Sequence, residues 1–563
     1  MFIEPVFGKK FFGREEVLGT LKKRVTALKG GYRQNMALTG PMLAGKSSIL
    51  RHFLNNMADP SIIPMYIEMD GIDFRLFCMQ FMAALLFRYL KSNGRTAGEL
   101  LAELQKETSS FAEYDREMEF EALKKMCRDL IPKTVSGMDD VYSLLKKRKI
   151  NDSYEKILQL TSIFKNETGK NCIVILDEFH NLSNFKLKKP FQTFGKFIMV
   201  QKNTMYVVSS SQKTLLREIL SKKLSLLFGN FEVIEINGFD SRTARSFISD
   251  KTEKNDSLFD IKNYFIQVSQ GNPFYLEVFV KEFSDLMSTA REKENARECL
   301  LEVFSRVLYD SNGVLNRYFM NKLNFFLEKK ARKNFIPVLM SLAKGNSTIK
   351  AIQKDLKKKD GELGIKLQKL QEMDLLETSG GFYLISDKLF EYWIKYVYCL
   401  KEQSVIDDMD IKYLEFKKNI DRDYKRFYEA SSRDVKEIIC GLFSSFDNNK
   451  VQVNMNLRKI PRFDTVESRF LSENIIEIEG KLNNKEWLCH VKQNDTADEN
   501  DVGRLLNFEA RDQKQKITRK ILIPLEGIEQ NAFLLAKEQN IWVWNLEFIN
   551  RKLRFFGKFE IIL

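Results

Sequence analysis

The sequence predicts an α/β protein whose first half is built on a parallel sheet, with helical and smaller mixed segments behind it. Two observations predict the sheet. Cys172–Leu176 is a run of five apolar residues, the pattern of a strand buried on both faces. Asn35–Thr39 is a second short buried strand, and it runs through a glycine-bounded loop into an apolar-periodic segment, Ser48–Leu54, that reads as the start of a helix. A third strand, Met205–Val208, follows the same pattern. The remaining 326 residues after position 237 alternate between amphipathic helical stretches and short strand signals, so the chain of 563 residues is expected to hold three or four domains rather than one core.

Composition narrows the class. With 44% hydrophobic and 29% charged residues, and only 10 Pro and 27 Gly, the chain is folded and helix-rich rather than disordered or fibrous. No stretch approaches 18 consecutive apolar residues, and the first 16 residues contain no apolar core ahead of a small-residue cleavage site. A cytoplasmic protein without a membrane segment is expected. The cysteines at 78, 127, 172, 299, 399, 440 and 489 include no CxxC pair, which points to reduced thiols rather than disulfides or zinc. Three histidines, His52, His180 and His490, exclude a His-rich metal centre. The net charge of +14 fits either a polyanionic partner or simply lysine-rich, solvated helix faces.

Between the first strand and its helix lies Gly40-Pro41-Met42-Leu43-Ala44-Gly45-Lys46-Ser47, a complete GxxxxGK[ST] loop followed by Ser48. Gly40 and Gly45 let the backbone wrap closely, so that successive N–H groups and the helix N-terminus face phosphates. Lys46 is expected to reach the β- and γ-phosphates of ATP and Ser47 to offer its hydroxyl to Mg2+. The five-residue apolar strand delivers Asp177 and Glu178 at its C-terminal end, where open α/β sheets bind ligands. Asp177 is the expected Mg2+ holder, and Glu178 the general base that polarises the attacking water. The third strand ends in Ser209-Ser210-Ser211, a polar end suited to sensing hydrolysis, with Ser210 as the expected phosphate contact.

The order FFGREE (11–16), GPMLAGKS, VILDEF (174–179), VVSSSQ (207–212) and QGNPFYL (270–276) resembles the archaeal-type STAND ATPases, a branch of the AAA+ class related to the ATPase core of archaeal replication initiators. The resemblance covers roughly the first half of the chain in pieces, and the phosphate loop and the Asp-Glu strand are its specific parts. It implies that Gly13 and Arg14, in a GRE box with Glu15 and then Glu16 or Val17, pack near the adenine. It also implies that Gly271-Asn272-Pro273 starts a lid helix closing over the nucleotide, so Pro273 joins the cofactor-binding set. Two departures stand out. Relatives carry a Tyr-Gly-Arg after the sensor strand where this chain has Leu227-Phe228-Gly229-Asn230, and although Arg217 is near in sequence, nothing assigns it that role. Residues 71–168 form a long, mostly helical insert whose apolar residues, as in FRLFCMQFMAALLFRYL, fit helices packing on the sheet.

Residues 238–330 read as amphipathic helices, consistent with a helical lid. Beyond them, helices at Asn334–Lys344, Ser347–Lys357 and Gly361–Asp374 precede a hairpin, Leu376–Ile385, with a Ser-Gly-Gly turn. Three helices and a β-wing spell a winged helix-turn-helix over 331–400, followed by Asp387–Val397, which is similar to the helix after this module in relatives. Its third helix carries Lys366 and Lys369 with Lys357, Lys358 and Lys359 just before, but only Gln368 and Gln371 as base-reading types. Phosphate-level DNA contact and a docking role within the protein or toward a protein partner are both consistent with this composition.

Within the segment 401–563 the chain reads from Arg426 as one helix, then strands Asn474–Glu479 and Glu486–Lys492 joined by Gly-Lys-Leu-Asn-Asn, a helix near Asn500–Gln513, strand Ile521–Leu525, helix Gln530–Gln539 and strand Ile541–Trp544. This order resembles restriction-endonuclease-like domains of the PD-(D/E)xK type, which relatives of the ATPase often carry at this end. The resemblance implies Glu477 as the first acid and Lys492 as the lysine, with His490 in the second acid position. Imidazole in place of a carboxylate removes a charge and a hard oxygen ligand, so a degenerate nuclease fold retained for binding is expected. A His-containing variant site completed by Glu479 or Glu437, and a plain half-buried His490, are the alternatives. The whole is expected to be an α/β chain with an AAA+-like P-loop ATPase core (1–237), a helical lid (238–330), a winged helix (331–400) and a C-terminal restriction-endonuclease-like domain (401–563). Its expected role is an ATP-operated switch associated with DNA. An ATP-gated nuclease and an assembly ATPase binding only protein are the alternatives, and the oligomeric state is left open.

Overall fold

The computed structural model of the chain describes residues 4–100, 102, 116–224, 231–252, 258–289, 296–326, 329–357, 360–403, 408–453, 456–508 and 516–563. Leu227–Asn230, Lys358, Lys359 and the stretch 509–513 of the expected helix lie outside the described residues. The chain divides into two compact units, Met1–Gly238 with Asn272–Phe274, and Phe239–Gly271 with Tyr275–Leu563. The first division falls beside the expected boundary at 237, while the three segments expected as lid, winged helix and C-terminal domain lie together in the second unit.

The first unit runs α1 (Glu15–Lys29), β1 (Asn35–Thr39), α2 (Lys46–Asn55), β2 (Ile62–Glu68), α3 (Phe74–Ser92), α4 (Arg116–Cys127), α5 (Pro132–Lys146), α6 (Ile150–Thr168), β3 (Asn171–Asp177), a 3-10 turn (Phe179–Phe185), α7 (Pro190–Val200), β4 (Thr204–Ser210), α8 (Lys213–Glu218) and β5 (Phe231–Glu235). The five strands form one sheet in the order β2-β3-β4-β1-β5, and every pairing is parallel. Strands β2 and β5 were not picked out by periodicity. Pro64 interrupts the apolar run of β2, and β5, an edge strand with no buried residue, mixes two glutamates among three apolar residues without strict alternation.

Strand alternation divides the interior into two layers. Met36, Leu38, Ile173, Ile175, Met205 and Val207 point to one face, covered by α1 and α2 through Leu21, Ile49, Leu50 and Phe53. Ala37, Cys172, Val174, Leu176, Tyr206 and Val208 point to the other, against the insert helices through Phe77, Phe81, Leu85, Ile157 and Phe164. The insert is thus a packing layer: α3 is apolar nearly all round because it lies between the sheet and the other insert helices. Covered on both faces, the central strands need continuous apolar sequence, which explains their legibility.

In the second unit, α9 (Ser241–Lys251), α10 (Phe259–Ser269), α11 (Pro273–Thr289, whose first two residues belong to the first unit), α12 (Ala296–Phe304), α13 (Val314–Phe326), α14 (Lys329–Ala343), α15 (Ile349–Leu356) and α16 (Asp360–Glu372) lead to the hairpin β6 (Leu376–Ser379) and β7 (Phe382–Ile385) and to α17 (Lys388–Trp393). The hairpin turn is Gly380-Gly381, with Gly380 at φ +65°, as a two-residue connection requires. After α18 (Met409–Ser431) and α19 (Val435–Phe443), a small hairpin β8 (Lys450–Val453) and β9 (Asn456–Lys459) precedes the second large sheet. Its order is β10 (Thr465–Ser472), β11 (Ile475–Leu482), β12 (Lys485–Lys492), β13 (Lys516–Pro524) and β14 (Trp542–Val543), antiparallel for the first two pairings and parallel for the last two.

Helices α20 (Glu499–Leu506) and α21 (Gln530–Glu538) are the parallel crossovers, and α22 (Leu546–Phe555) ends the fold. Strands β11 and β12 run on through the expected five-residue connection, and the turn shrinks to Asn483-Asn484, with Asn483 at φ +52°. Asparagine tolerates that left-handed backbone better than most residues. The expected single helix after Arg426 is two, α18 and α19, separated at Asp434, whose carboxylate caps α19 through Lys436 N–H.

Candidate functional site: a phosphate-type loop facing two carboxylates

Strand β1 ends at Thr39, and the chain then turns tightly against the segment after β5. A Cβ on Gly40 would collide with the carbonyl of Ile236 and lie 3.0 Å from its carbon. Leu43 (φ +63°) and Gly45 (φ +96°) adopt left-handed backbone, so the loop curls into a concave turn ahead of α2. The first-turn N–H groups of α2 have no acceptor within the helix, which makes this concavity electropositive. Pro41 and Met42 form an exposed rim, while Ala44 and Lys46 are buried. The Lys46 ammonium donates to the carbonyls of Gly40 and Pro41, both at 2.9 Å, and makes no ion pair among the described residues. Burial pushes its pKa down, and the nearby charges of Glu178 and Asp177 oppose that shift.

The remaining expected cofactor residues sit around this loop with distinct tasks. Ser47 lies in the first turn of α2. Ser48 Oγ accepts from the Val6 N–H at 3.0 Å, tying the N-terminal segment to the loop. Gly13 and Arg14 both have positive φ at the entrance to α1. The Arg14 guanidinium donates to Ala44 O (3.1 Å) and Asn237 O (2.6 Å), so it braces the phosphate-type loop from its backbone side. Pro273 lies beside Gly45, with its Cγ 3.9 Å from where a Cβ on Gly45 would be.

Strand β4 pairs with both β1 and β3, so its end lies between the loop and the two carboxylates. The three consecutive serines there divide the work. Ser209 donates to Asp177 Oδ1. Ser211 donates through both its N–H and its hydroxyl to Glu178 Oε2, each at 2.9 Å. Ser210, the expected phosphate contact, instead pairs with His180 Nδ1 at 2.9 Å. His180 Nδ1 also stands 3.3 Å from Glu178 Oε2, and its Nε2 lies 3.1 Å from the Gln212 amide. Burial lowers the His180 pKa and favours its neutral form.

Asp177 is further held by Tyr66, whose hydroxyl donates to Oδ2 at 2.5 Å, and by the Glu178 N–H at 3.1 Å. Burial, followed by the Asp177 charge, raises the Tyr66 phenol pKa and keeps it a donor. Glu178 has left-handed backbone, φ +52°, at the turn out of β3. Its carboxyl pKa is raised, chiefly by burial, against the lowering effect of Lys46 and the Ser211 hydrogen bonds. Sequence reasoning gave no role to Tyr66, His180 or Gln212, and read Ser209 and Ser211 only as part of the polar end of β4. His180 and Gln212 directly follow motifs already in hand, whereas Tyr66 belongs to the strand that periodicity passed over. Arg217, near in sequence, is ion-paired with Glu235 at 3.4 Å.

These residues fit a nucleoside triphosphate with Mg2+: a buried ammonium without an ion-pair partner among the described residues and a curled loop of N–H donors lie near two carboxylates, with Ser47 in the first turn of α2.

The C-terminal residues singled out by sequence are arranged differently. Glu477 and His490 face each other directly across β11 and β12, with His490 Nε2 3.5 Å from Glu477 Oε2. Glu477 is ion-paired with Arg469 of β10, and Glu479 lies 3.7 Å from the same guanidinium and 3.6 Å from Lys481. Lys492 instead meets Asp501 of α20 at 3.3 Å. Glu437 is exposed on α19, which packs on the opposite face of this sheet, with Ile476 and Ile478, so it does not join Glu477. Among the described residues no group of three or more His, Cys, Asp and Glu side chains could hold a metal ion. An active Mg2+ shell therefore does not fit here, since a guanidinium sits on the carboxylate that would ligate the ion.

The hairpin β6–β7 is likewise engaged. Lys552 donates to Ser379 Oγ at 2.9 Å, Arg551 pairs with Glu377 at 3.2 Å, and Phe382 packs 5.4 Å from Phe556. The Arg554 guanidinium bonds the Ser386 carbonyl at 3.3 Å and Glu391 at 3.1 Å. On α16, Lys366 pairs with Glu362 at 3.4 Å, and Gln368 and Gln371 bond Glu372 and Thr378. No helix among the described residues is long and apolar enough to cross a membrane.

No family model and no curated protein matches the chain. Among solved structures, it is similar to the Walker-type ATPase PABY2304 of Pyrococcus abyssi, at 18% identity over 69% of this chain and 97% of that one, with a TM-score of 0.43. It is similar to the ORC2 protein of Aeropyrum pernix in its ADPNP–ADP complexes at 10% identity, 75% and 97% coverage and a TM-score of 0.42. The Thermotoga maritima RuvB Holliday junction branch migration motor is matched at 13% identity, 69% and 97% coverage and a TM-score of 0.31. Scores of this size carry no functional argument, so the reading below rests on the chain's own residues.

Proposed function

We propose that this chain is a P-loop ATPase of AAA+ type, acting as an ATP-operated switch. One observation carries the reading: Lys46, buried at the mouth of a left-handed, glycine-bounded loop, faces Asp177 and Glu178 yet makes no ion pair among the described residues. A buried cation of this kind is offset by a ligand anion, and the curled loop with its helix N-terminus supplies the matching donors. A bound Mg2+ would supply charge neutralisation across the phosphates. Ser47 and Asp177 are the residues to hold it, with Tyr66 and Ser209 fixing the Asp177 carboxylate. Glu178 is the general base, and its hydrogen bonds to Ser211 orient it and couple it to β4. His180 and Ser210 complete a polar chain through which loss of the terminal phosphate would be felt at the end of β4.

The finer reading is a STAND-type core with a lid beginning at Pro273, a winged helix over 331–400 and a nuclease-like C-terminal domain. Three helices before a Gly-Gly hairpin support the winged helix, and a mixed sheet with β-α-β crossovers supports the C-terminal assignment. The engaged hairpin favours the winged helix as a docking module within the second unit over a free DNA-reading wing. The Glu477–Arg469 pair favours a degenerate nuclease over an active one. DNA association remains part of the proposal on charge.

The test is Mg2+-dependent ATP hydrolysis with and without duplex DNA, comparing wild type with Glu178→Gln. The substitution is expected to lower kcat by about 10²- to 10⁴-fold while ATP still binds. Equal hydrolysis by the two proteins would remove Glu178 from the role assigned.

A further inference from the structure

Two turns of the first unit carry a concentration of charge that the nucleotide site does not use. Lys146 ends α5 and Lys147, Arg148 and Lys149 connect it to α6, while Lys186, Lys188 and Lys189 lie in the loop between the 3-10 turn and α7. The two turns adjoin. The Lys188 N–H donates to Asn151 Oδ1 at 2.8 Å in the first turn of α6, and the Tyr154 hydroxyl donates to the Pro190 carbonyl at 3.4 Å. All seven cationic residues are exposed, and none makes an ion pair among the described residues. The nearest acidic groups are largely committed: Asp139 pairs with Lys124 at 2.6 Å and Asp140 with Lys156 at 3.0 Å, which leaves exposed Asp152 and Glu155 on α6. Arg148, Lys186 and Lys189 hold left-handed backbone (φ +55°, +55° and +49°), so side chains rather than glycines occupy the tightest positions of both turns.

Like charges at this density repel, and exposed Asp152 and Glu155 are too few to offset that repulsion among seven cations. An extended polyanion would do so, with release of its condensed counterions as the driving force. The chemistry favours a phosphodiester backbone over an acidic protein. A stable protein interface needs an apolar or aromatic centre, and the large apolar side chain between these turns, Ile150, is only 36% exposed.

We propose that the turns Lys146–Lys149 and Lys186–Lys189 form a binding site for the phosphate backbone of duplex DNA on the ATPase unit, separate from the winged helix. The second turn begins directly after the 3-10 element Phe179–Phe185, which follows Glu178 and carries His180. Phe179, Leu182 and Phe185 are buried, anchoring this element in the core. A ligand on Lys186–Lys189 thus acts on a short, packed segment whose other end positions the Glu178–His180 pair. The binding site stands on charge and geometry alone, whereas its effect on hydrolysis rests on the ATPase reading above.

The experiment uses the full chain and a fluorescein-labelled 30-base-pair duplex, followed by anisotropy between 50 and 300 mM KCl. Wild type is expected to bind with a steep salt dependence, log K falling by about 0.9 per phosphate contacted for each log unit of salt. A variant with Lys147→Ala, Arg148→Ala, Lys149→Ala, Lys186→Ala, Lys188→Ala and Lys189→Ala is expected to bind at least about tenfold more weakly at 100 mM KCl, with a shallower slope. Its melting temperature, and the basal ATPase of the Lys147→Ala, Arg148→Ala, Lys149→Ala variant, are expected to stay at wild-type values. Lys366→Ala, Lys369→Ala on the winged helix is expected to retain the wild-type slope. The proposal is overturned if wild type fails to bind DNA, if the sixfold variant keeps wild-type affinity and slope, or if poly-glutamate displaces the duplex at equal charge concentration. DNA binding that follows these expectations in a protein without ATPase activity would uphold the site and overturn the ATPase reading instead.

Discussion

Replacing Gly40 by alanine separates the packing of the phosphate-type loop from its backbone conformation. The added Cβ would sit within van der Waals contact of the Ile236 carbonyl oxygen, 3.0 Å from its carbon and 3.3 Å from its Cβ. Because backbone atoms are involved, no rotamer change relieves the contact, and the segment after β5 must move by about an ångström. That movement threatens the hydrogen bond from Ile236 N–H to Thr39 O at 2.6 Å, the last rung between β1 and this segment. Overpacking costs about 1–3 kcal/mol and loss of the hydrogen bond about 0.5–1.5 kcal/mol, so a loss of roughly 2–4 kcal/mol is expected in the nucleotide-free protein.

For a unit of this size such a loss corresponds to a melting temperature lower by roughly 4–16 °C. Gly45→Ala makes the contrast. Its nearest neighbour, Pro273 Cγ, is 3.9 Å away, and the cost is conformational, from φ +96°, at about 1–2 kcal/mol. Gly45→Ala is expected to melt closer to wild type but to bind a fluorescent ATP analogue more weakly, because Gly45 shapes the N–H concavity itself. Circular-dichroism melts with and without ATP and Mg2+, plus analogue titration, read both effects. A Gly40→Ala protein that melts within about 1 °C of wild type and binds the analogue equally would refute the reasoning.

Because burial raises the Glu178 pKa, the ionised base is present above that value and is lost as pH falls through it. The acid limb of kcat is expected to have its midpoint above the ordinary carboxylate value of 4.5, and a lower midpoint would count against a buried base. Burial also lowers the Lys552 ammonium, to about 7 from 10.5. The folded state therefore binds fewer protons than the unfolded chain between those values, and packing of α22 on the hairpin should strengthen as pH rises through that window. Amide exchange in β6 and β7 across that range checks this, and Lys552→Met should flatten the dependence. With Arg469 on Glu477 and Lys492 on Asp501, supercoiled plasmid is expected to remain intact in Mg2+ or Mn2+. Nicking that disappears in Lys492→Ala would restore a catalytic role.

The sequence by itself determined what depends on local pattern. Strands β1, β3 and β4 were legible because burial on both faces demands continuous apolar runs, and the loop from Gly40 to Ser47 because its tasks demand particular residue types at fixed spacing. Asp177 and Glu178 were legible for the same reason, at the end of a readable strand. Only the tertiary structure decided which partners these residues take. That Ser210 turns to His180 while Ser211 reaches Glu178, that Tyr66 holds Asp177, and that Arg14 braces Ala44 all follow from strand order, with β4 between β1 and β3 and β2 at the edge beyond β3. Arg469 opposite Glu477 follows from the register of β10 on β11, and the two basic turns meet because α6 and α7 share the same sheet face. Such pairings join distant residues, 111 positions apart for Tyr66 and Asp177 and 223 for Arg14 and Asn237, and no local periodicity encodes which distant side chain will arrive there.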